Sequence, residues 1–218
     1  MTDRLRTSVG TVELKNPLIA AAAEHVIDAE GVRRALAAGV GAVVVKSTNE
    51  SQAARDQLQR AEYMVLDEAW RPVPWGPQAP RSATIACRSG LTPQSFDAWL
   101  EQTVALDREA KTHDAYAVAS LILAALDPAI EMARAVEAAG VRILELNIGT
   151  PYASQARGAI ATELDPARVA TIVAAVRAAS RFRYGSSSPA RASACPISPA
   201  LRSRPEPIPW SWPAACSG

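Results

Sequence analysis

A chain of 218 residues, 49% hydrophobic and 21% charged, can bury one substantial core but falls short of the roughly 250 residues of a complete (β/α)8 barrel. A formal net charge of +1 gives no electrostatic case for nucleic acid or an anionic membrane, and no apolar run reaches the roughly 18 residues that span a bilayer. Cys87, Cys195 and Cys216 are too few and too irregular for a disulfide framework or a zinc site, and the opening MTDRLRTSVGTVEL has no signal-peptide core, so a cytoplasmic location is expected.

Residues 1–17 read as a small hairpin turning at Val9-Gly10-Thr11 and ended by Asn16-Pro17. LIAAAA (18–23) is a short apolar strand. Asp28 then caps a helix over 29–39, with Val32, Ala35 and Leu36 at helical spacing and Gly39 as the stop. GAVVVKST (41–48) is a continuous β-branched run, the pattern of a strand buried on both faces. The insert that follows includes AWRPVPWGPQAPR (69–81), whose prolines predict a stiff covering segment, with an exposed partner-binding surface as the alternative. FDAWLEQTVALDREAK (96–111) is amphipathic, AYAVASLIL (115–123) is the next buried strand, and Asp127-Pro128 opens a helix that closes on Gly140. VRILELNI (141–148) is a fourth strand, and Asp165-Pro166 repeats the helix start before 167–179.

Strand–helix alternation with glycine stops implies parallel strands joined by right-handed crossovers, on either an open sheet or a barrel. From Ser180 to Gly218 the pattern ends: seven prolines, nine serines and five arginines stand with one carboxylate. Such a stretch cannot bury enough apolar surface to offset its ordering entropy, and it reads as disordered.

LKNPLIAAAAE (14–24), GVGAVVVKST (39–48), SGLTPQSFDAWLE (89–101), AVASLIL (117–123) and AGVRILELNIGTP (139–151) resemble, in order, motifs of the dihydroorotate dehydrogenase and dihydropyrimidine dehydrogenase family. The resemblance covers nearly all of residues 8–179. It implies a partial (β/α)8 barrel of about four βα units, with a small N-terminal hairpin, that binds FMN and oxidises a CH–CH bond of a small cyclic, dihydropyrimidine-like substrate. It also implies that Ala22, Lys46, Ser120 and Asn147 contact the flavin and that Asn147 bridges it to substrate. Thr150 stands where the family has its Cys or Ser base. A hydroxyl is a weak base unless something activates it. Tyr152 replaces an amide that binds pyrimidine, and Cys87 lies where a substrate-binding Asn is usual, although a lone Cys in an Ala/Ile run is ordinarily a small buried side chain.

The resemblance calls for a fifth strand after residue 179, similar to PVWVKL and carrying a second flavin lysine. The tail does not supply it in frame. Back-translated with free choice of wobble bases and read from third codon positions, Ser180–Ser188 permits PIPVWVKL, and Glu206–Gly218 permits a sequence like the sixth strand. A frameshift near Ala179 is therefore expected, with 1–179 as the half-barrel and 180–218 as an out-of-frame tail. A non-catalytic half-barrel, self-associating as a homodimer or binding a protein partner, is the alternative reading.

Overall fold

The computed structural model describes residues 3–148 and 166–180. Strands β1 (Thr7–Val9) and β2 (Val12–Leu14) form the expected hairpin, with Val9 opposite Val12. Gly10 takes φ +61° at the turn, a conformation that glycine adopts without a Cβ penalty. Asn16 then fastens the hairpin to the sheet: its Nδ2 donates to the Gly39 carbonyl at 2.8 Å, and its own carbonyl lies where a Cβ on Gly41 would sit.

Strands β3 (Ile19–Ala20), β4 (Ala42–Val44), β8 (Tyr116–Ile122) and β9 (Leu144–Asn147) make one parallel sheet in the order β3-β4-β8-β9. Helices α1 (Ala29–Ala37), α3 (Phe96–Thr112) and α4 (Leu126–Ala138) flank it, and α5 (Pro166–Ala179) packs on α4. This is a partial, barrel-like β/α array. Alternation along the strands divides the buried residues by face. Val43, Val45, Ala117, Ala119, Leu121 and Leu144 join Leu36, Leu106, Val136 and other helix residues in the main core. Ala42, Val44 and Val118 face the other way, onto Leu14 of the hairpin.

Helix starts follow local chemistry. Asp28 accepts from Gly31 N and Ser95 accepts from Ala98 N, each satisfying one free amide of a first turn. Asp127-Pro128 lies in the first turn of α4, as the sequence led one to expect. The N-cap of α4 is Ala125, without a side-chain cap bond, and Asp127 lies inside the first turn; the Ala125 amide instead donates to the Glu50 carboxylate at 3.0 Å. A carboxylate 75 residues away in the chain thus meets the backbone just before this helix.

The middle insert also departs from the sequence reading. Short helix α2 (Gln52–Asp56) leads to strands β5 (Glu62–Leu66), β6 (Pro72–Val73) and β7 (Thr84–Arg88), a separate antiparallel sheet of order β6-β5-β7. Within the proline-rich segment, expected to be a stiff cover, Pro72 opens an edge strand, where its missing N–H costs no ladder bond. Asp67 shapes the turn before it, accepting from Ala69 N and Arg71 N at 2.9 Å each. Trp70 (φ 62°), Trp75, Tyr63 and Ile85 stand exposed on this sheet.

No helix among the described residues is long and apolar enough to cross a membrane. The expected tail, 180–218, lies outside the described residues beyond Ser180.

Candidate functional site

Parallel strands deliver their carboxyl ends to one rim, and the polar residues of this sheet concentrate there. Lys46, Ser47, Thr48 and Asn49 follow β4 directly and are all buried. The register explains how they are aimed. Val44 pairs with Val118 and Thr48 bridges Leu121, so three residues, Val45–Ser47, oppose two, Ala119 and Ser120. The extra residue is a bulge, which breaks alternation and turns a side chain toward the other face. Ser47 Oγ accordingly meets Ser120 Oγ at 2.8 Å, and Ser120 Oγ donates to Glu145 Oε1 at 2.9 Å. A hydroxyl has one proton to give, so Ser47 is the donor to Ser120. The result is a short relay from β4 through β8 to β9.

Lys46 keeps the facing of Ala42 and Val44, away from the helices. Its Nζ donates to Glu24 Oε1 at 3.3 Å, which joins the end of β4 to the 3-10 turn Glu24–Val26 that follows β3. Its carbonyl accepts from Trp99 Nε1 at 2.9 Å, so α3 fixes the lysine backbone from behind. Burial pushes the Glu24 carboxyl up, but the nearby Ser89 hydroxyl and the Lys46 ammonium bonded to it outweigh that and hold Glu24 below the ordinary carboxylate range. The Tyr63 phenol, exposed on the antiparallel sheet, is pushed up by slight desolvation and by the Glu24 carboxylate.

A lowered folded-state value means that Glu24 stabilises the protein above the unfolded carboxylate's titration, near 4.3, and that this contribution is lost as pH falls through the folded value. Glu24→Gln should therefore flatten the acid limb of a urea-midpoint titration. An unchanged acid limb would show that the pair is solvated and energetically idle.

The sequence-derived residues are distributed as follows. Ala22 is half-buried against the Leu14–Val44–Val118 cluster. Ser120 is fully buried in the relay. Asn147 ends β9 opposite Ile122, two strands from Lys46 and about 10 Å sideways at the usual strand spacing, further toward the same carboxyl rim. Asn147 has partners of its own. Cys87 is exposed on β7, opposite Tyr63, rather than buried as its Ala/Ile context suggested; as an edge-strand residue in a separate sheet it has no core to enter. Thr150 and Tyr152 lie outside the described residues.

Glu24, Ser47, Ser89, Trp99 and Glu145 were not legible as site residues. Glu24 and Glu145 left one signal each: a carboxylate directly after an alanine run, and a carboxylate within an otherwise apolar strand. Thr48 Oγ1, Asn49 Nδ2, Ser89 Oγ and Gln94 Oε1 are buried without a hydrogen-bond partner among the described residues. Such atoms are uncommon in a finished interior and mark polar capacity left over at this end of the fold. A cleft of about 350 Å³ opens between the starts of α3 and α4, walled by Asn49, Arg55, Phe96, Pro128 and Met132; Ala22, Lys46, Ser120, Asn147 and Cys87 do not line it. No group of three or more His, Cys, Asp or Glu among the described residues is arranged to hold a metal ion.

A search against protein-family models returned no match, and no curated protein matched the sequence.

Proposed function

We propose that the chain is built on the plan of an FMN-dependent oxidoreductase of the dihydroorotate dehydrogenase type, acting on the CH–CH bond of a dihydropyrimidine-like substrate, and that the 218-residue chain is itself inactive. The observation that supports this is the shared rim: Lys46 and Asn147 end two strands of one parallel sheet, with the Ser120 relay between them. Active sites of β/α barrels are built at that end of the strands.

The residues suit the ring of a flavin in part. Lys46 and Asn147 offer donors of the kind that carbonyl edges accept, and Ala21–Ala23 leave room beside β3. Bound there, FMN would accept the hydride taken from substrate. Lys46 would orient the ring, Asn147 would hold ring and substrate together, and Glu24 would set how much of the Lys46 charge the ring experiences. The proton acceptor stays with Thr150, as the resemblance assigns it. Barrels of this class hold the FMN phosphate in their late loops, which a chain out of frame after Ala179 would not supply. Weak binding follows.

Purified as the 218-residue chain, the protein should show no visible flavin absorption band. A version with the reading frame restored after Ala179 should show one, and Lys46→Ala in that version should lose it. A colourless frame-restored protein would end the flavoenzyme reading, and an intact frame in independently sequenced DNA across codons 175–182 would end the frameshift. A second reading, a non-catalytic half-barrel that self-associates, is favoured by β3 and β9, which form the two edges of the sheet among the described residues.

A further inference from the structure

We infer that two copies of this chain close into one eight-stranded parallel barrel, with β9 of each copy paired to β3 of the other. The inference deepens the self-associating reading and is independent of flavin. A sheet edge presents a row of backbone groups that need partners, and full closure is the arrangement that removes edges altogether. Here both edges run in the same direction, so a two-fold axis along the barrel brings each β9 beside a β3 in parallel. Four strands from each copy make eight, the number at which inward side chains just fill a barrel.

The backbone on each edge specifies the register. On β3 the Leu18 carbonyl accepts from Gly41 N and Ala42 N and so faces β4, which leaves the N–H and C=O of Ile19 pointing outward. On β9 the carbonyls of Ile143 and Asn147 accept from Ala119 N and Leu123 N, which leaves Leu144 and Leu146 pointing outward. Parallel pairing therefore places Ile19 of one copy opposite Glu145 of the other: Ile19 N–H meets the Leu144 carbonyl, and Leu146 N–H meets the Ile19 carbonyl.

This register closes with the shear of the barrel class. Ile19 is level with Ala42 and Tyr116, and the pairing Ala119↔Leu144 carries that level to Val141. Glu145 lies four residues beyond Val141. Counted on the regular ladder below the β4 bulge, two such seams give a slip of about eight residues around the ring, the shear of a (β/α)8 barrel. Pairing Ile19 with residue 143 or 147 instead would give about half that shear or half as much again, and neither closes this class.

Facing agrees too. Ile19 pairs with Ala42, which faces away from the helices, and Glu145 alternates with Leu144 of the main core, so both side chains lie on the inner face. Ile19 is 48% exposed and the neighbouring Leu18 is 63% exposed, apolar surface that closure would cover. Closure would also set Ala21 of the second copy opposite Asn147 of the first, with Ala22 and Glu24 following at the same rim.

Light scattering on the eluting full-length chain should give twice the 23.0 kDa chain mass. In a background with Cys87, Cys195 and Cys216 replaced by Ser, the double variant Ile19→Cys/Glu145→Cys should oxidise to a covalent dimer, because directly opposed strand residues meet disulfide geometry. The pair Ile19→Cys/Val141→Cys should not. A dimer that cross-links at neither pair would overturn the seam while leaving self-association standing. A monomer, or an open series of larger assemblies, would overturn both.

Discussion

Replacing Asp107 by Ala should cost about 3–5 kcal/mol of stability, the range for removing one partner of a buried ion pair. Asp107 sits on α3 with 3% of its surface exposed, and its carboxylate is the junction of three elements. It accepts from Ala117 N at 3.2 Å at the start of β8 and from Arg142 N at 3.3 Å just before β9. The Arg142 guanidinium grips it through Nε at 2.9 Å and Nη2 at 2.6 Å, donates onward to the Ala115 carbonyl at 2.8 Å, and lies 4.2 Å from the Tyr116 ring centroid. Deleting the carboxylate leaves a half-buried cation and two strand-end amides without their acceptor, and the cost lies mostly in what is left behind. Asp107→Asn keeps one acceptor oxygen and should lose less. Urea unfolding followed by far-UV circular dichroism measures both; a loss below about 1 kcal/mol for Asp107→Ala would place the pair among solvated surface bridges.

Trp99→Ala should be comparably damaging, about 3–5 kcal/mol by loss of a large core side chain. Trp99 is 2% exposed and stacks on Phe96 with ring centroids 5.8 Å apart. Its indole N–H also donates to the Lys46 carbonyl and so ties the core to the rim. Trp99→Phe separates the two roles: most of the volume stays, and the buried carbonyl loses its donor, at about 1–3 kcal/mol. With the Lys46 backbone released, its amine should react faster with a lysine-labelling reagent, and Lys15 and Lys111 provide internal controls in the same digest. Faster labelling at all three lysines would point to general loosening rather than a tether.

Much of the scaffold was legible because its signals are local. A cap, a helical stripe and a glycine stop all lie within one or two turns of chain, so α1 could be placed from Asp28, Val32, Leu36 and Gly39, and the structure has it there. Buried parallel strands announce themselves as unbroken β-branched runs, which placed β4 and β8. The insert failed for the opposite reason. Glu62–Leu66 and Thr84–Arg88 are too short for a convincing period, and each is a strand only because the other lies beside it.

The sequence by itself determined the order of the parallel strands and their flanking helices, where most of those helices begin and stop, and the placement of Lys46, Ser120 and Asn147 toward the carboxyl ends of the strands. Tertiary structure alone decided the bulge that turns Ser47 to Ser120, the Glu24 carboxylate that holds Lys46, and the Glu50 carboxylate that serves the start of α4. The division follows from range. Propensity and capping act between neighbours in the chain, whereas a side chain 22, 73 or 75 residues away becomes a partner only after strand register has brought the two together.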